Sequence, residues 1–175
     1  MRVVKNIQMQ MGEVDISEIK FDPRSRDELP QILKGLQYIY TNIPIREEIF
    51  KLLETHIAPK IDKKNGRPGM ELWKIFVLGA LRLNLNLNYD RLHDEANHHS
   101  KIREMLGHGA FDLEGNYSLQ TIKDNVSLLT TELLNKINEV VIKAGHIVVK
   151  KKKQRPWLGV ATHLSLRPTC IFPQI

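Results

Sequence analysis

Two stretches of this chain hold residue types that could do chemistry. The first is "HDEANHH", running from His93 to His99. A helical zinc site wants two histidines four residues apart, with a glutamate after the first, so that both imidazoles share one face. Here His93 and His98 are five apart and Asp94 follows His93. One extra residue turns the second ring by about 100° around a helix. His99 and His108 supply no ligand spacing either. Asp90 and Asp94 lie four apart, on one helix face, but Arg91 and His93 beside them make that face ordinary surface charge. The stretch therefore reads as a solvated helix end, and the chain is expected to hold no metal and no cofactor. No phosphate-binding glycine loop, nucleophile elbow or Cys–His pair occurs, so no catalytic residue is assigned and the chain is expected not to be an enzyme.

The second stretch is "NYSLQTIKDNVSLL". A short helix, "KIREMLG", then a connection, then a Ser-capped helix gives the outline of a helix-turn-helix. Counting from the Ser118 cap, the outward residues are Gln120, Thr121, Lys123, Asp124 and Asn125. Gln and Asn side chains pair bidentately with adenine, and Lys meets phosphate or guanine. Against this, the connection exceeds a tight helix-turn-helix turn, and Asp124 is unfavourable near phosphates. A plain amphipathic helix is the competing reading.

The elements that would position these residues follow from periodicity and punctuation. From Asp27, with Pro30 in the first turn, apolar residues recur at helical spacing through Ile32, Leu33, Leu36, Ile39 and Tyr40. "TNIP" breaks that helix. A second runs from Ile45 to about Ile57, and "DKKNGRPG" is a loop. A strongly apolar helix covers Met70 to about Leu83. It carries Glu71, Lys74 and Arg82 and falls short of the roughly 20 apolar residues a bilayer crossing needs, so it is a core helix and no membrane partner is expected. Asn88 caps the helix that carries Leu92 and Ala96. "SKIREMLG" is a short helix ending at Gly107. Ser118 opens the clearest periodicity, with Leu119, Ile122, Val126, Leu129, Leu133, Ile137, Val140, Ala144 and Ile147 stepping by three or four. That pattern predicts one long helix or two nearly collinear ones, with a coiled-coil-like seam.

The fold class is thus all-α: a multi-helix bundle with a helix-turn-helix-like segment, a long C-terminal helix and a disordered tail. The chain divides into a loosely structured segment 1–26, a helical domain 27–150 and the tail 151–175. Of 175 residues, 42% are hydrophobic, enough for a core. One cysteine excludes a disulfide framework and fits a reducing compartment. The N-terminus has no signal-peptide pattern, so a cytoplasmic location is expected. The net charge is +6. Residues 1–149 balance at 20 basic and 20 acidic, so the excess lies entirely in Lys150, Lys151, Lys152, Lys153, Arg155 and Arg167. Non-specific affinity for DNA would therefore come from the lysine run rather than the body.

The stretch "GRPGMELWKIFVLGALRLNLNLNYDRLHDEANHHSKIREMLG", followed by "SLQTIKDNV", resembles the N-terminal domain of bacterial insertion-sequence transposases that carry an acidic triad on an RNase H-like core. The residues that carry the likeness are the loop of Gly66, Arg67 and Pro68, the apolar helix from Met70 to Leu83, Tyr89 with Leu92, then Arg103, Leu106 and Gly107, and finally Ser118 with Thr121. It covers about 66 to 150. The resemblance implies binding of double-stranded DNA at element ends and pairing of subunits, with divalent metal needed only in the catalytic domain that relatives carry. DNA contacts would come from Arg67, Ser118, Gln120, Thr121, Lys123 and Asn125, with Lys150 to Lys153 on phosphates.

The terminal "THLSLRPTCIFPQI" fits this resemblance in a shifted frame. With permitted codons and one preceding G, the same bases read "DSFVVETDVHFPTD", an alternating acidic segment like the first catalytic strand of such enzymes. Lysine codons are A-rich, and an A-run at 150–153 favours slippage. The expectation is a transposase fragment truncated by a frameshift. Two alternatives stand beside it: a helical oligomerisation module that inhibits full-length transposase through mixed oligomers, and a non-functional gene remnant.

Overall fold

The computed structural model describes residues 12–22, 24–57, 69–109 and 115–153. Among them the protein is all-α. The seven helices are α1 (Glu28–Thr41), α2 (Ile43–Ile57), α3 (Leu72–Asn84), α4 (Tyr89–His98), α5 (Ser100–Met105), α6 (Leu119–Val126) and α7 (Thr131–Lys153).

The centre is α3. Its residues Leu72, Trp73, Ile75, Phe76, Val77, Leu78, Gly79, Ala80 and Leu81 are all buried. A helix apolar around its whole circumference must be surrounded, and α1, α2, α4 and α6 all pack on it. The one charge in that run, Lys74, reaches back to Glu71 at 3.6 Å. Trp73 anchors one end. Its ring lies 5.0 Å from Tyr40 and 5.9 Å from Phe76 between centroids, and its indole N–H donates to the Met105 carbonyl at 3.1 Å. That bond satisfies the polar atom of a fully buried indole and ties α3 to the end of α5.

The expected punctuation is present. The Asn88 side chain accepts from the Arg91 amide at 2.8 Å, and Ser118 Oγ accepts from the Thr121 amide at 3.1 Å. Gly107, at φ +92°, ends α5. Its amide donates to Glu104 and that of His108 to Arg103, both at 2.9 Å, which is the two-bond Schellman closure. The end of α3 is built the same way around Asn86, at φ 48°: the Leu87 amide donates to Arg82 and the Asn86 amide to Leu83. Asn tolerates this left-handed geometry better than most residues. Asp27 stands at the N-cap position of α1, but its side chain makes no capping bond.

Three expectations need correction. The segment before α1 is not loose throughout. Ile16 is fully buried and Ile19 6% exposed. The Gln37 amide donates to the carbonyls of Ile16, Ser17 and Ile19 at 2.8 to 3.1 Å. A bridge pairs Glu13 with His108, so this segment docks on both α1 and the turn after α5. The pattern from Leu119 to Ile147 forms two helices, the second of the two expected outcomes, but their apolar seam is not one surface. It is broken at Ser127–Thr130, and the two parts serve different partners: α6 packs on α3 and α4, α7 on α2. Finally, α7 runs to Lys153, so helix extends into the stretch read as tail. The remainder of that tail, 154–175, lies outside the described residues.

Candidate nucleic-acid interface

The α6 surface is assembled from both its ends. At its start, Ser118 caps the backbone, and its hydroxyl lies 2.8 Å from that of Thr121. Immediately before the cap, Tyr117 is held by two side chains. The Asn97 side chain of α4 makes two bonds to its backbone, Nδ2 donating to the Tyr117 carbonyl at 3.0 Å and Oδ1 accepting from its amide at 2.8 Å. The Tyr117 hydroxyl is hydrogen-bonded to His108 Nε2, with the rings edge-on at 5.4 Å. Arg103 of α5 spans the same region, donating to the carbonyls of Asn97 and Gly115 and to Asn116 Oδ1 at 3.2 to 3.4 Å. At its far end, the Ser127 hydroxyl donates to the Asp124 carbonyl at 3.0 Å. Leu129 then lies against Gly79, where any Cβ would collide with the leucine side chain. The glycine in α3 leaves room for the end of that leucine side chain.

Between these anchors α6 buries Ile122, Asn125 and Val126 and exposes Gln120, Asp124 and Ser127, with Thr121 and Lys123 half-buried. The exposed three form a stripe at helical spacing. Within it, Gln120 Nε2 donates to Asp124 Oδ1 at 2.6 Å. Asn125 does not belong to the outward set. It is 6% exposed, and its amide donates to the Thr121 carbonyl at 2.6 Å. It lies three residues after Ile122, on the face turned to α3 and α4, so it has no access to a ligand in this packing.

The sequence-predicted residues therefore separate. Gln120, Thr121, Lys123 and the Ser118 cap come together on one helix with the exposed Asp124. Lys150 to Lys153 close α7, but their side chains lie outside the described residues, as does Arg67. The α5–α6 arrangement also departs from a tight helix-turn-helix, because more than twelve residues separate the two helices in sequence, and α6 packs on α3 and α4. The positioning residues Asn97, Arg103, His108 and Tyr117 carried no local signal. Asn97 and Tyr117 are twenty residues apart, and no short-range pattern links them.

The histidine stretch behaves as a helix end. His98 Nδ1 lies 2.9 Å from the Asp94 carbonyl. His93 Nδ1 lies 3.4 Å from Asp94, whose side chain is 72% exposed. Among the described residues, no group of three or more His, Cys, Asp or Glu side chains is placed to hold a metal ion, and no helix is long and apolar enough to cross a membrane.

No family model, curated protein or solved structure matched this chain.

Proposed function

We propose that this chain is a helical DNA-binding and subunit-pairing domain of an insertion-sequence transposase, acting in the cytoplasm on element-end duplexes and carrying out no strand chemistry itself. The family rests on the resemblance over about 66 to 150. The observation that carries the DNA reading is the α6 stripe: exposed hydrogen-bonding side chains, Gln120 and Asp124, on a helix capped at one end and pinned to the core at both. A rigid helix presenting amide and carboxylate groups is the kind of element that reads base edges in a major groove.

Gel shifts with element-end and scrambled duplexes at two salt concentrations test this. Removing 150–175 should weaken binding to both duplexes about equally and flatten the salt dependence, by about 0.9 in slope for each phosphate no longer neutralised. The double change Gln120→Ala with Lys123→Ala should weaken binding to element ends alone, by on the order of 1–3 kcal/mol per base contact. Equal binding of both duplexes by parent and double variant would refute the reading.

A second reading, the oligomerisation module, is favoured by α7. This helix has 23 residues, roughly 34 Å at 1.5 Å per residue. Among its residues whose side chains are described, the buried ones are Leu133, Leu134, Ile137 and Val140. From Val141 onward it continues to Lys153, with Ile142 37% exposed. Mass measurement in solution, on the chain alone and mixed with an intact transposase of the same element, separates the two. A monomer that forms no mixed oligomer removes this second reading.

A further inference from the structure

The Gln120–Asp124 pair is at odds with a generic DNA surface. A carboxylate facing duplex DNA is repelled by phosphates and by the acceptor atoms O6 and N7 of guanine and O4 of thymine. Yet Asp124 is exposed in the middle of the α6 stripe and accepts from Gln120 at 2.6 Å. That bond uses one N–H of the Gln120 amide and one oxygen of Asp124. It leaves hydrogen-bonding capacity on these two exposed side chains: the second amide N–H and Oε1 on Gln120, and Oδ2 on Asp124. Three acceptor or donor positions are thereby held in a fixed relation on adjacent turns, with the acceptors in excess.

Such a set matches a base that offers an exocyclic amine in the major groove, N4 of cytosine or N6 of adenine, and rejects one that offers only oxygen there. Adenine also presents N7, which suits the remaining Gln120 N–H. We infer that Asp124 is a specificity-determining residue: with Gln120 it selects an amino base, adenine before cytosine, at one position of the bound duplex, and excludes guanine and thymine from it by repulsion. The inference rests on the DNA-binding reading of α6 given above and adds the base chemistry that this helix recognises.

The acidic side chain makes the inference separable from a merely electrostatic role. Removing a negative charge from a DNA-facing surface should tighten binding to every duplex. Removing a discriminating carboxylate should also erase a preference. The experiment is selection of bound duplexes from a randomised pool by the full chain, by Asp124→Asn and by Gln120→Ala, with circular dichroism confirming that each variant keeps its helices. The parent should enrich adenine or cytosine at one position. Asp124→Asn should bind scrambled duplex more tightly and admit guanine and thymine there, with discrimination at that position falling about tenfold, within the range for one base contact. Gln120→Ala should keep the exclusion of guanine and thymine but move the preference from adenine to cytosine. If the parent enriches a site and Asp124→Asn enriches the identical one, the inference is overturned while the DNA reading of α6 stands. If the parent enriches no sequence at all, both are overturned.

Discussion

Replacing Asn97 with alanine should release the start of α6 without disturbing the core beneath it. The asparagine makes two hydrogen bonds to the backbone of Tyr117, at 3.0 and 2.8 Å, and so acts as a surrogate strand partner for a segment with no regular structure. Each such bond contributes about 0.5–1.5 kcal/mol net. Both Tyr117 groups lie in a part-buried setting, so removing the partner leaves a donor and an acceptor only partly rehydrated. A total loss of about 2–3 kcal/mol follows. For a domain of this size each 1 kcal/mol moves the midpoint by about 2–4 °C, so Tm should fall by about 4–12 °C. Urea unfolding followed by circular dichroism measures the free energy directly, with an unchanged m-value showing that the denatured state is unaffected. Asn97→Asp is the informative partner variant. It keeps the acceptor for the Tyr117 amide but sets a carboxylate oxygen against the Tyr117 carbonyl, two acceptors opposed, so at neutral pH it should recover little of the stability. A cost below about 0.5 kcal/mol for Asn97→Ala, the level of an ordinary surface change, would show that Arg103 and His108 hold this segment without Asn97. The positioning role of Asn97 would then be refuted.

Three further outcomes are expected. Gly107→Ala places a Cβ on a backbone at φ +92° and should cost about 1–2 kcal/mol in thermal unfolding; no loss would mean the turn re-forms without the left-handed residue. Glu132 has its carboxyl held below the ordinary range, first by its hydrogen bond from Lys136 and then by that ammonium's charge; because its folded pKa is depressed, its contribution is present above the unfolded carboxylate range and lost as pH falls through the folded value, so Glu132→Gln should lower stability at neutral pH and converge with the parent in acid, and parallel pH–stability curves would contradict it. Incubation of the chain with element-end DNA and Mg²⁺ or Mn²⁺ should yield no strand cleavage, and metal-dependent nicking by the purified polypeptide would overturn the non-enzymatic reading.

The ends of helices were largely legible because their signals are local. Asn88, Ser118 and Gly107 each complete a bond within a few residues of themselves, so residue type and position suffice to place them. The all-α class and the central apolar helix were legible for a similar reason: a helix apolar on every side has one stable place in a fold, and α3 takes it. The polar side chains of α6 were legible as residue types, but not all as geometry. Gln120 and Asp124 face solvent, whereas Asn125 is turned into the core, and a polar residue at a buried helical position looks the same in sequence as one at an exposed position.

Tertiary structure decided what periodicity leaves open. The apolar steps from Leu119 to Ile147 say which side of a helix is greasy, and they say nothing of which partner covers it. Two different partners, α3 with α4 and then α2, required a break at Ser127–Thr130 that the spacing alone did not demand. The docking of Ile16 and Ile19 under the Gln37 amide, and the clamp of Asn97 on Tyr117, are likewise pairings between residues about twenty positions apart. Their partners are brought together only when the helices pack, because the entropic cost of closing such loops is met by core burial elsewhere. Residue types and local hydrogen bonding thus determined the elements and their caps, while burial against particular neighbours determined where α6 ends, which of its polar groups reach solvent and what holds it there.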